Sequence, residues 1–597
     1  MTALLKAPET VQHPEPKSRR WNRADAVTMA CYLLIALGIY GGLWLHLGGG
    51  YLYNSAQDQN MWEWFFDVTA HAVWHWENPL TSTLQNFPVG VNMMANTAMF
   101  GLGIPLSPLT MLFGPTVTWA VALTGGLAGT ASAWYWLFSR YLVTSRFAAA
   151  IGGVFCGFAP PMISHGNAHP NFACLFLIPF IVLRLILLAQ GKRPVRDGII
   201  LGLLIAYQVF LGEEPLLISM LAFAVFAIAY AASRPREAAK MVRPTAIGVG
   251  IAAVLALAII IYPLWFQFFG SQSYKTLEHG PVGNDTAAFT RFATESVAGQ
   301  PGPAADVSLN RTEENAFFGW PLIVLMVVLT IWLWRVVLAR AIAISMFVMA
   351  WLSLGVRLVV DHTDTGIPGP WQLLANLPLF DSLLESRLAM GAIPAVGALL
   401  AIATDRVFQA AASASSPAGE RQLPVRLLWL GTLVAVLLPI APTPLPTITR
   451  PSTPEFFADG TWKRYVASGS VVTVPLPNTS DARALHWQTD ADLGFPIADG
   501  YFVGPNGPSD KRGRYGAPSR ATADLLNAVR EKGDVPPITD KDRAQALADL
   551  RYWQADVVVL APTDNQQALQ SVVELLLRKS PQFVDGVWLW DVRSMTA

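Results

Sequence analysis

Long apolar runs dominate the chain. Windows long enough to span a bilayer, about 17–25 mostly apolar residues, fall near 25–47, 116–138, 147–163, 170–190, 197–212, 214–232, 244–268, 318–334, 341–360, 388–404 and 427–445. They predict about eleven transmembrane helices. A further apolar stretch at 98–114, AMFGLGIPLSPLTMLFG, is broken by Pro105 and Pro108. It reads as re-entrant or interfacial, a backbone that protein must shelter from lipid. Beyond Pro446 the runs shorten to VVTVPLP, ADVVVL and GVWLWDV, alternating with helix-like stretches 521–532, 541–552 and 565–579. Strands alternating with helices predict an α/β domain.

Basic residues orient the spans. With the N-terminus inside, Arg140, Arg146, Lys192, Arg193, Arg196, Arg234, Arg236, Lys240, Arg243, Arg335, Arg340, Arg406, Arg421 and Arg426 all fall on the cytoplasmic side, and 48–115 holds no Lys or Arg. That is the asymmetry of the positive-inside rule. The expected organisation is a polytopic α-helical membrane protein: a cytoplasmic tail at 1–24 with no signal-peptide core, a transmembrane domain at 25–446, and an extracytoplasmic α/β domain at 447–597. Outer loops are expected at 48–115, 270–317 and 361–386, and AASASSPAGE (411–420) reads as a cytoplasmic linker.

Composition agrees. Of 597 residues, 53% are hydrophobic and only 14% charged, where soluble domains carry about 25%. A net charge of zero gives no reason to expect nucleic acid as a partner. Cys31, Cys156 and Cys174 lie in apolar runs without metal-ligand spacing, and they read as small core residues.

The candidate chemistry collects at the outer level of the membrane. The first outer loop carries Asp58, Glu63 and Asp67 in the Trp-rich segment NSAQDQNMWEWFFDVTAHAVWHWENP (54–79). His165 and His169 lie in SHGNAHPNF, Glu213 and Glu214 in FLGEEPLL, and Arg387 in LPLFDSLLESRL. The loop 270–317 adds Lys275, Glu278, His279, Arg291, Arg311, Glu313 and Glu314. Ionisable groups at membrane depth are costly and usually face a cavity or one another. Each also has a plainer role: Glu213 and Glu214 complement a helix dipole, the two histidines hydrogen-bond within a turn, Arg387 snorkels, and Asp58 caps the helix it precedes. No His/Glu set has recognised metal spacing. The aromatic run 59–76 suits a helix lying in the bilayer interface.

The layout resembles the GT-C superfamily of membrane glycosyltransferases: an acid in the first outer loop, an interfacial helix after it, about a dozen spans and an outer C-terminal domain. In layout the chain is similar to the multi-spanning bacterial enzymes of cell-envelope glycan assembly, including the arabinofuranosyl and mannosyl transferases of actinobacteria. The phrases NPLTSTLQNFPVGVNMMAN, GGVFCGFAPPMISHGNAHPNF, FLGEEPLL and LPLFDSLLESRL look like blocks recurring in uncharacterised bacterial membrane proteins of this kind. The resemblance covers about residues 25–445, and Asp58-Gln59 stands where the family often has paired acids. It implies transfer of a sugar from a polyprenyl-phosphate donor to a glycan, lipid or protein acceptor on the outer face of the bacterial cytoplasmic membrane. Asp58 would be the general base, with Lys275, Arg291 and Arg387 on the phosphate and Glu213, Glu214, His165 and His169 around the sugar. It assigns no metal ligand, although oligosaccharide-transferring members use a divalent cation. A transporter or flippase of lipid-linked sugars and a non-catalytic membrane scaffold remain the alternatives.

Overall fold

Prolines mark where many of the helices begin. Pro115, Pro194 and Pro235 open the helices Pro115–Leu137, Pro194–Val209 and Pro235–Phe269, where the missing N–H costs nothing and the fixed φ already suits the helix. Helix Arg23–Ile39 starts on a capping box: Asp25 N donates to Asn22 Oδ1 (3.2 Å), and Asn22 N donates to Asp25 Oδ2 (3.0 Å).

The structure, a computed structural model, describes residues 21–277, 279–280, 282–413 and 422–596. The expected tail before residue 21, Glu278, most of the 411–420 linker and Arg421 lie outside the described residues. A helix lies in each apolar window, among them Arg146–Phe158, Ile178–Gln190, Trp320–Leu333, Val337–Leu352, Ile393–Ser413 and Gln422–Leu437. Among the described residues, three segments are long and apolar enough to cross a membrane: Glu213–Ser233, Pro235–Phe269 and Glu385–Ala411. The outward faces of the first two are greasy, with Ile228, Val254 and Ile261 more than half exposed, as suits lipid rather than water. Inward, small residues let backbones touch. A Cβ on Gly152 would stand 2.6 Å from Gly397 O, so helices Arg146–Phe158 and Ile393–Ser413 pack at the closest approach.

The broken stretch 98–114 forms two short helices, Phe100–Gly103 and Ser107–Phe113. Its loose backbone is satisfied by protein: Gly101 N donates to Phe210 O (2.9 Å), and Tyr207 Oη donates to Gly101 O (2.6 Å).

The Trp-rich segment departs from expectation. Helix Ala56–His75 is not an interfacial helix, because Trp62, Trp64, Phe65 and Phe66 are buried in protein and only Trp74 and Trp76 are exposed at its end. Asp58 is not its cap either. The N-cap is Ser55, and Asp58 sits inside the first turn.

What covers that helix is the C-terminal region. Its sheet runs Gln582–Val584, Val587–Asp591, Ala555–Leu560, Ser470–Thr473, with the last pair parallel and the others antiparallel. Helices Ala521–Lys532, Asp540–Tyr552 and Gln566–Leu577 contribute to its core. On the other side, Phe456, Phe457, Trp487 and Phe495 join the same core as Trp64 and Leu80 of the segment 48–115. Strands Gly50–Leu52 and Thr447–Thr449 pair antiparallel, Trp64 Nε1 donates to Gln488 Oε1 (2.9 Å), and buried Arg450 pairs with buried Glu63 at 2.7 Å. The segment 48–115 is thus held between the helices and the C-terminal region.

Candidate functional site

One turn, one loop, a 3₁₀ segment and the first turns of two helices bring ionisable groups together. In APPMISHGNAHPNF the prolines seed short helices Pro160–His165 and Pro170–Ala173, and His169 N donates to His165 O (2.7 Å) across the turn between them. The turn sets the two imidazoles side by side, with Nδ1 atoms 2.9 Å apart. Ser164 then pins the loop 311–315: its Oγ donates to Arg311 O and accepts from Glu314 N (both 2.9 Å). This delivers Glu313 to the histidines, at 3.7 Å from His165 Nε2 and 3.6 Å from His169 Nδ1.

Arg387 arrives on the 3₁₀ segment Glu385–Ala392. Its Nε donates to both Glu313 oxygens (3.1 Å), its Nη2 also donates to Glu313, and its Nη1 donates to Glu214 Oε2 (2.6 Å). The guanidinium stands 4.8 Å over the Phe172 ring, on which His165 also stacks (centroids 4.5 Å). Asn315 completes the frame, donating to Glu313 Oε2 (2.9 Å) and Ser386 Oγ (3.1 Å). Its Oδ1, 2.7 Å from His165 Nε2, therefore accepts from that ring nitrogen, which leaves His165 Nδ1 to accept from His169.

The charges follow from burial. Burial draws the His165 and His169 imidazoles down to about 4, with Glu313 opposing it, so both rings are neutral at pH 7. Burial also resists ionisation of Glu313, but the Arg387 guanidinium outweighs it and holds the carboxyl well below the usual range. Asp58 faces this group within electrostatic reach of His169, Glu313 and Arg387. Burial raises its carboxyl, against the pull of His169, of a hydrogen bond from Tyr501 and of Arg387. Tyr501 Oη donates to Asp58 Oδ1 at 2.5 Å. Asp58, His169, Glu214 and Arg387 each keep partial exposure.

Two imidazoles and a carboxylate whose ligand atoms lie within 4.8 Å of one another fit a divalent cation as a His2Glu set. Charge balance supports the fit, since Asp58, Glu214 and Glu313 face the one guanidinium of Arg387 while both histidines are neutral.

The structure therefore draws together Asp58, His165, His169, Glu214 and Arg387. Glu213 points elsewhere, accepting from Gln267 Nε2 (2.8 Å) in an apolar crevice beside Met99 and Phe210. Arg291 is taken up by Pro303 O (2.8 Å) and Asp361 Oδ1 (3.1 Å). Lys275 is exposed, and its backbone N donates to Lys511 O (2.8 Å). Among the described residues, neither cation pairs with a carboxylate of the cluster. Sequence reasoning did not single out Glu313, Asn315 or Tyr501 as site residues. Only the acid doublet in RTEENAF hinted at the first, and Tyr501 stood in an aromatic phrase, GYFVGP, that equally suits a core.

No protein-family model matches the chain, and no curated protein matches it in sequence. Solved structures do match in fold. The apo oligosaccharyltransferase of Archaeoglobus fulgidus aligns with TM-score 0.51 and 11% identity over 93% of this chain and 72% of that one. The arabinofuranosyltransferase AftD from Mycobacteria aligns with TM-score 0.54 and 16% identity over 96% of this chain. This chain spans 40% of the length of AftD. Both neighbours are GT-C glycosyltransferases, and the expected GT-C resemblance holds at the level of the fold.

Proposed function

We propose that the protein is a GT-C glycosyltransferase that moves a sugar from a polyprenyl-phosphate donor to a glycan, lipid or protein acceptor at the outer face of the bacterial cytoplasmic membrane. The observation that carries this reading is the placement of Asp58. It is a partly exposed carboxylate whose Oδ1 is engaged by Tyr501, opposite an arginine, two neutral imidazoles and Glu313. Asp58 Oδ2 accepts no hydrogen bond among the described residues.

In this reading the acceptor hydroxyl gives its proton to Asp58 Oδ2 as its oxygen attacks the anomeric carbon. The anomeric carbon–phosphate oxygen bond breaks, and the polyprenyl phosphate leaves with the electron pair. One direct displacement inverts the anomeric centre. Arg387 has five N–H donors, and those not spent on Glu214 and Glu313 remain for the phosphate. His165, His169 and Glu313 would hold a divalent cation, which when bound supplies positive charge to the leaving phosphate. The isoprenoid would enter laterally near 98–114, with the N-terminus cytoplasmic and the C-terminal α/β region, from about 447, outside. The test is transfer of labelled sugar from a panel of polyprenyl-phosphate donors by the purified protein in lipid. Transfer from one donor supports the reading; lipid binding without transfer from any donor favours a transporter.

A further inference from the structure

We propose that Tyr501 is a positioning residue of the reaction: the C-terminal region delivers its phenol hydroxyl to Asp58 Oδ1, and so fixes which carboxylate oxygen receives the acceptor's proton. The inference rests on the reading of Asp58 as general base.

The geometry is built for a fixed contact. The segment carrying Tyr501 is fastened to the first outer loop along its length. Ile497 N donates to Leu84 O (2.9 Å), and Phe87 N returns a bond to Ile497 O (3.1 Å). Asn86 N donates to Asp499 O (2.8 Å), and Tyr501 N donates to Gln85 Oε1 (2.9 Å). Asn96 closes the far end, accepting from Val503 N (2.6 Å) and donating to Val503 O (2.9 Å). At Gly500 the fit is tight enough that a Cβ would meet Gln85 Oε1 at 2.2 Å. Asp58 lies at the other end of the same loop, in the first turn of its helix. A catalytic group held by hydrogen-bonded neighbours on rigid supports is what precise proton transfer requires.

The hydroxyl is a donor and nothing more. Burial pushes the Tyr501 phenol far up, and the Asp58 carboxylate pushes it further, so Tyr501 keeps its proton throughout. In the transfer step the acceptor's proton goes to Asp58 Oδ2, the new bond forms at the anomeric carbon, and the phosphate leaves; Tyr501 ends as it began. Besides Tyr501, the titratable and charged groups facing Asp58 are His169, Glu313 and Arg387 on the helical side and Tyr515 on the C-terminal side. Among these, Tyr501 makes the one hydrogen bond to Asp58 among the described residues.

Tyr501→Phe removes a single oxygen from a ring that keeps its packing. Expected are a loss of about 10- to 100-fold in kcat, KM values within about twofold of wild type, and an acid limb of kcat moved to higher pH, because the carboxylate loses a bond that favoured ionisation. Infrared difference spectra against Asp58→Asn assign the Asp58 carboxylate band, and that band shifts in Tyr501→Phe. Incorporating 3-fluorotyrosine at 501 restores kcat and the band, which separates the hydroxyl's role from any folding defect. Wild-type kcat and an unmoved acid limb in Tyr501→Phe, with Asp58→Asn inactive, overturn the proposal while leaving the base in place. If the wild type transfers no sugar, the base reading fails instead, and an unmoved band would then deny the contact itself.

Discussion

Arg387 grips Glu313 through two of its nitrogens while its third holds Glu214. Glu313 is almost completely buried, so its ionised carboxylate depends on that guanidinium. Removing one partner of a buried pair typically costs about 3–5 kcal/mol. Arg387→Met should therefore lower the melting temperature in lipid nanodiscs by several degrees and abolish transfer. Adding Glu313→Gln to it should restore much of the stability and none of the transfer. A melting curve unchanged by Arg387→Met would remove this ion pair from the account.

The Glu63–Arg450 pair acts as a clamp between the segment 48–115 and the C-terminal region. Both side chains are buried, Arg450 Nη2 lies 2.7 Å from Glu63, and its guanidinium stands 4.4 Å over the Tyr51 ring. Burial opposes ionisation of Glu63, and Arg450 overcomes it. Arg450→Met is expected to speed limited proteolysis near the 446–455 junction and to lower stability by about 3–5 kcal/mol. Equal cleavage rates in wild type and variant would show that the clamp does not fasten the region.

Asp67 gives a pH signature. Burial and the neighbouring acids Asp492, Glu63 and Asp490 push its carboxyl up to about 7. The folded state then holds a proton that the unfolded chain releases near 4, so this residue's contribution to stability is present at low pH and is lost as pH rises from about 4 to about 7. Asp67→Asn should flatten this part of the curve and raise the melting temperature at pH 8. A variant that melts like wild type at both pH 5 and pH 8 would show that Asp67 titrates normally.

The His165, His169 and Glu313 set carries its own binding test. A divalent ion such as Zn²⁺ or Mn²⁺ should raise the melting temperature of the chelator-treated wild type and not that of His165→Ala/His169→Ala. Transfer should fall with a chelator and return with the ion. Transfer indifferent to exhaustive chelation would leave Arg387 as the sole phosphate partner.

The helical framework was legible because bilayer-length apolar runs are long signals, and each window holds a helix. The C-terminal elements were legible too: the Ala521–Lys532 helix and the Ala555–Leu560 strand fall where periodicity put them. Periodicity could not say what an apolar face meets. The Trp-rich helix looked lipid-facing, yet Trp64 is fully buried against a region that follows it by some 400 residues and bonds Gln488. Asp58 looked like a cap, but Ser55, without a side-chain cap bond, already holds that position. The candidate site was half legible. Outer-loop placement pointed to Asp58, His165, His169, Glu214 and Arg387, but charge alone does not give direction: Arg291 turns to other partners and Lys275 is exposed. Glu313 meets Arg387 across 74 positions, and Tyr501 meets Asp58 across 443, separations that local spacing does not encode.

The central claim is that Asp58 takes a proton from the acceptor during sugar transfer. Single-turnover transfer from a labelled polyprenyl-phosphate sugar, compared between wild type and Asp58→Asn in the same lipid, tests it most directly. The account predicts a loss of about 100-fold or more in the rate, with donor binding retained. An Asp58→Asn protein that transfers sugar at the wild-type rate would contradict it.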